Sequence, residues 1–248
     1  MPKARWFIAG SCVVAIAAAG VVVAAATSGS GGGGGARALT SDEANRLAIT
    51  RFRNYETGGR AVTITVPGTA GDLVVTGSID YRAKLGYGVV HGTGRDTSSD
   101  GLIEWSATSV LVDPMPNTPA TAPATPPGTG WYSRRLQQTG SSLDSSLAIA
   151  LNLGSDRPDN AQLLPQNGAM WAGHDQVGGR QVDIMTGPAA QGTAGTATTA
   201  GTVRYWIDAD GTMYRVQAGL ASEDQPAVIE FDTQKYMAVP PTPTAAQG

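Results

Sequence analysis

Cysteine is almost missing from this chain: Cys12 is the only one among 248 residues. Everything after it therefore folds without an intramolecular disulfide, a thiolate metal ligand or a cysteine nucleophile, and is held by its core alone. Histidine is nearly as scarce. His91 and His174 are the only two, 83 positions apart and outside any H-x-x-x-H or paired-carboxylate context, so no metal-ligand spacing exists. Charged residues make up 15% of the chain, below the usual one quarter. No cluster of five Lys or Arg occurs, and a formal net charge of −3 offers nucleic acid no electrostatic handle.

Catalytic motifs are missing as well. No G-x-S-x-G nucleophile elbow is present. Gly86-Tyr87-Gly88-Val89-Val90-His91 lacks the third glycine of a dinucleotide fingerprint and runs on into strand signal instead of a helix. Asp208 and Asp210 before Gly211 suit a hairpin turn better than a calcium loop, because the glycine follows the second Asp directly and Gly219 stands where a closing Glu belongs. The chain is read as non-catalytic, with no cofactor and no metal.

What is present is a core. Hydrophobic residues make up 41% and include five Trp, enough apolar surface to offset the entropy of ordering one domain of ordinary size. The 33 Gly and 15 Pro gather partly in low-complexity segments.

Lys3 and Arg5 precede an uncharged run from Trp6 to Ala26. As a helix it would extend roughly 31 Å, the thickness of the bilayer hydrocarbon. Basic residues on its N-terminal side orient that end inward and send the rest across the membrane. Three readings compete. The length favours an uncleaved anchor over a signal peptide, although Ala24 and Ala26 offer a small-x-small cleavage pattern that would release the protein after Ala26. A lipoprotein signal at Cys12 fits least, because the apolar run follows the cysteine. Beyond the anchor stand 15 basic and 20 acidic residues, a formal charge of −5.

Residues 1–5 then form a cytoplasmic basic end, 6–26 the anchor or signal, 27–38 a Gly/Ser-rich linker, 39–237 the folded domain and 238–248 a disordered tail. Thr40 and Glu43 form a capping box for a helix over about 41–57, whose apolar face runs through Ala44, Ala48, Phe52 and Tyr55 with Leu47 beside it. Alternation from Val62 to Val66, from Leu73 to Tyr81, from Leu85 to His91 and from Leu102 to Val112 predicts strands. Residues 114–130 are a Pro-rich surface loop, read as filler with a docking peptide as the alternative. A second helix carries Leu143, Leu147, Ala150 and Leu151, and Gly154 closes it. A short turn-rich piece at 159–164 follows, then five more strands, with His174 expected in a loop and 186–202 as a second low-complexity insertion.

DNAQLLPQNGAMWAGHDQVGGRQVDIMTGP (159–188) and VRYWIDADGTMYRVQA (203–218) resemble the LolA-like superfamily, in particular the actinobacterial LppX/LprAFG-type lipoproteins. The resemblance spans about residues 40–237. It implies an α+β fold: a curved antiparallel sheet, an incomplete β-barrel, with helices covering the open face. It also implies a cavity for acyl chains between sheet and helices. Leu47, Phe52, Val62, Ile64, Val75, Ile79, Leu147 and Leu151 are the candidate lining residues. Unlike those lipoproteins, this chain has no cysteine just after the apolar run. A domain fixed to the membrane by a short linker suits local presentation or sensing of lipid better than carriage. The expected function is a membrane-anchored extracytoplasmic lipid-binding domain. The alternative is a cell-envelope interaction or sensory module of the same fold, packed solid. The partners are accordingly the membrane through residues 6–26, a lipid ligand and an envelope protein, with nucleic acid excluded.

Overall fold

The computed structural model describes residues 35–95, 97–187 and 202–241. The expected membrane segment 6–26 and most of the insertion after Thr186 lie outside them. Among the described residues no helix is long and apolar enough to cross a membrane.

In chain order the elements are β1 (Arg37–Ala38), α1 (Ser41–Thr57), β2 (Gly59–Val66), β3 (Leu73–Asp80), β4 (Leu85–Gly92), β5 (Gly101–Trp105), β6 (Ser109–Pro114) and β7 (Tyr132–Arg135). There follow α2 (Ser142–Asn152), α3 (Leu163–Gln166), β8 (Met170–Val177), β9 (Arg180–Thr186), β10 (Val203–Ile207), β11 (Met213–Ala218) and β12 (Ala227–Phe231). The strands form one sheet of twelve, ordered β1-β8-β9-β10-β11-β12-β2-β3-β4-β5-β6-β7. Its neighbours pair antiparallel throughout, and β1 and β7 remain as unjoined edges. Two meanders, β2 to β7 and β8 to β12, meet where β12 pairs with β2, Ile229 opposite Ile64. The class is α+β, and the sheet is open; twisted open sheets of more than about ten strands curl.

Helix α1 starts as its capping box dictates: Glu43 N–H donates to Thr40 Oγ1 at 3.3 Å and Thr40 N–H donates to the Glu43 carboxylate at 2.8 Å. Gly58, at φ 88°, ends it. The buried stripe is displaced from the one expected. Ala44, Leu47 and Ala48 are buried together with Thr50 and Asn54, while Phe52 is only half-buried. The polar members are satisfied: Thr50 donates to Arg46 O and Gly211 O, and Asn54 donates to Leu153 O at 2.8 Å.

The predicted strand from Leu102 to Val112 is two strands. Ser106 makes the turn between them, its Oγ accepting from the N–H groups of Thr108 and Ser109. Strand β7 was not legible in the pattern.

Each side of β4, β5 and β6 is buried. Val90, Ile103, Trp105 and Val110 face the main core under α2, and their neighbours Val89, Leu102 and Leu111 face an outer cluster with Tyr87. The Pro-rich segment is no filler: it lays Ala122 and Trp131, 5% and 3% exposed, on that outer cluster. Trp131 Nε1–H donates back to Pro127 O at 2.8 Å, which folds the segment over its own anchor. Met237 packs on the same cluster, and so does Val239, which lies in the stretch 238–248 expected to be a disordered tail.

Candidate functional site

Helix α2 is fastened to the sheet at both ends by polar groups. At its start Asp144, with no exposed surface, accepts two bonds from the Arg134 guanidinium and one from Gln137 N–H at 2.8 Å. At its end Lys84 donates to Leu151 O and Gly154 O, and Arg51 donates to Asn152 O. Desolvation lowers the Lys84 ammonium pKa, and the neighbouring Arg51 charge adds to that. Between the latches Leu147, Ile149, Ala150 and Leu151 meet the main cluster through apolar contact.

Six of the eight expected lining residues come together there. Val62, Ile64, Val75, Ile79, Leu147 and Leu151 belong to one cluster, none more than 3% exposed. Leu47 lies in a second cluster with Leu164, Trp171, Met185 and Ile207, under α1 and α3. Phe52 stands outside both.

The main cluster reaches solvent at one end. A cleft of about 350 Å3 opens between the β2–β3 turn and the N-terminal end of α2, where Val66, Leu73 and Leu143 from the cluster meet Asp72, Ser141, Ser142 and Glu223. Ser142 Oγ donates to the Glu223 carboxylate at 2.6 Å across this mouth.

The other end of the cluster is polar and capped by Arg60, which with Asn54 and Asp232 lines a second cleft of about 220 Å3 on its outer side. Arg60, 5% exposed, donates to Asn54 Oδ1 at 2.9 Å and Met213 O at 2.7 Å, pairs with Asp232, and lies over the Phe231 ring at 4.4 Å. In register across the sheet from it stand Ile79, Gly86 and Trp105. Tyr81 completes this end, and burial pushes its phenol well above the ordinary range although the Arg60 charge opposes the shift. Sequence reasoning passed over Arg60, Tyr81 and Trp105, since nothing in the pattern separates a buried polar residue from an exposed one.

The histidines take no part. His174 lies in β8, not in a loop, and its Nδ1 pairs with Asp183 at 2.7 Å while the ring stays exposed. His91 stands 3.6 Å from Asp100, on β4. Asp208 accepts from the N–H groups of Asp210 and Thr212, both at 2.9 Å, and from the Tyr214 hydroxyl at 3.0 Å, which is the hairpin turn expected. Among the described residues no group of three His, Cys, Asp or Glu is placed to hold a metal.

No protein-family model matches the chain, and no curated protein does. Solved structures similar to it include the lipoprotein LppX of Mycobacterium tuberculosis, 12% identical, with 80% of this chain and 98% of that one covered at a TM-score of 0.42. LprF of Mycobacterium bovis is 12% identical over 82% and 99% of the two chains, at 0.38. An outer membrane lipoprotein-sorting protein domain of Vibrio parahaemolyticus is 8% identical over 70% and 82%, at 0.24. Superpositions this partial, at such identities, transfer neither family nor ligand to this chain.

Proposed function

We propose that the domain is a non-catalytic, extracytoplasmic binder of a lipid or other hydrophobic ligand, fixed to the membrane through residues 6–26. The observation that carries this reading is the latched helix. One apolar cluster runs from an open mouth at Val66, Leu73 and Leu143 to a closed polar end, with the sheet on one side and α2 on the other. Because α2 is tied by hydrogen bonds only at its ends, a hydrocarbon chain can replace its apolar contacts without breaking a polar one. Apolar contact is non-directional and exchangeable in this way. Val62, Ile64, Val75, Ile79, Leu147 and Leu151 are the proposed walls, with Leu47 and Phe52 on α1 beside them. Lys3 and Arg5 ahead of the apolar run support the outward orientation of the domain.

A second reading, an envelope protein-interaction module without a ligand, is favoured by the close packing of those same walls: Val62, Ile64, Val75, Ile79 and Leu147 each have 0% exposure. One experiment separates the two. Residues 31–248 are produced in a bacterial periplasm, purified without detergent and weighed native and denatured. Lipid binding predicts a stoichiometric, lipid-sized excess in the native mass. Equal masses, in preparations that also refuse added phospholipid, would leave only the interaction module.

A further inference from the structure

The closed end of the proposed interior carries chemistry that a plain hydrocarbon does not match. Tyr81 and Trp105 both have 0% exposure and belong to the main apolar cluster. Neither the Tyr81 hydroxyl nor the Trp105 Nε1–H has a hydrogen-bond partner among the described residues. A buried donor left unpaired is destabilising, and folded proteins pair nearly all of them.

The groups around them are already committed. Arg60 spends its donors on Asn54, Met213 O and Asp232, and Asn54 gives its own N–H to Leu153 O. The two rings are also held where they are. A methyl group on Gly86 would stand 2.2 Å from the Trp105 ring, and one on Gly154 would stand 2.3 Å from the Tyr81 ring, so each ring lies directly on a bare backbone. Both rings lie away from solvent, at 0% exposure.

We infer that the ligand of this interior supplies the missing acceptor: a lipid whose chain carries a hydroxyl, keto or ester oxygen far from its headgroup, received by Tyr81 and Trp105. This rests on the hydrophobic-ligand reading above. The dimensions agree with entry tail first. Strand β3 leads from Leu73 at the mouth to Asp80, next to Tyr81 at the closed end, seven residue steps or about 23 Å of extended chain. That is the span of a long acyl chain, so the oxygen belongs near the tail. Asp72 and Glu223 at the mouth repel an anionic headgroup and leave a neutral or cationic one.

The test uses the full chain with two probes, monostearoylglycerol and its omega-hydroxy analogue, and reads occupancy by native mass spectrometry. The omega-hydroxy lipid binds about tenfold tighter to the unmodified protein, the worth of one well-placed hydrogen bond. Tyr81→Phe and Trp105→Phe keep an aromatic ring and the fold, checked by circular dichroism. Each weakens the preference, read as the ratio of the two affinities within the same variant, and the double variant abolishes it. Equal affinity of the unmodified protein for the two lipids, the result expected if the donors meet only water, overturns the inference and leaves the hydrophobic-ligand reading standing. So does a preference that survives the double variant. Failure of both lipids to bind removes that reading, and the inference with it.

Discussion

At the scale of single residues, the sharpest electrostatic feature joins the start of the domain to its first helix. Arg37 donates two bonds to the Glu43 carboxylate, at 2.7 and 2.8 Å, and lies 4.3 Å over the Trp171 ring. The Arg37 bonds hold Glu43 well below the usual carboxylate range, at about 2, with the Thr40 N–H of the capping box adding to the effect against desolvation. A depressed folded-state pKa stabilises the fold above the unfolded value, and the benefit disappears as pH falls through the folded one. Glu43→Gln is therefore expected to cost about 1–2 kcal/mol at neutral pH, after discounting for the half-exposed arginine. The cost should shrink between roughly pH 4.5 and 2. Urea midpoints of the two proteins across that range test it.

Among the elements, the Pro-rich segment is where composition misleads most. Pro, Thr, Ala and Gly read as a solvated loop because no apolar period survives in them. Yet Trp131 at the end of the segment is 3% exposed and covers Tyr87, ring centroids 6.5 Å apart. One aromatic anchor per strap suffices, and a single residue leaves no periodicity to detect. Trp131→Ala is expected to destabilise the domain by about 3–5 kcal/mol. It should also open residues 115–130 to proteolysis while the sheet signal in circular dichroism is retained. Resistance of the variant to protease at the level of the unmodified protein would show that the strap is held by something else. The shifted stripe of α1 teaches the converse: Thr50 and Asn54 are buried because Gly211 O and Leu153 O are there to accept from them.

Over the whole molecule, the seam between β12 and β2 makes one body of two meanders. The main cluster takes Val62, Val75 and Ile103 from the first and Met213, Val216 and Ile229 from the second. Arg60 of β2 ties into Met213 and Asp232 across the same seam. Neither meander buries its apolar face without the other. Residues 31–248 are accordingly expected to unfold in a single transition, with tryptophan fluorescence and far-ultraviolet circular dichroism coinciding in urea. Two separated transitions would mean that the halves are independent.

The sequence by itself determined the local elements: the capping box of α1, the alternating strands, the second helix with its Leu147 and Leu151, and the turn at Asp208. These follow from contacts within a few residues, which period and cap chemistry record directly. Alternation and helical period also assigned a buried face to six of the eight residues proposed as walls, which share one core cluster. Tertiary structure alone decided which face of α1 is buried, that Leu47 belongs to a different cluster, that Phe52 stays half-exposed, and that Tyr81, Trp105 and Arg60 form the closed end. Each depends on partners more than 20 positions away, and a residue type carries no trace of what the fold will set against it.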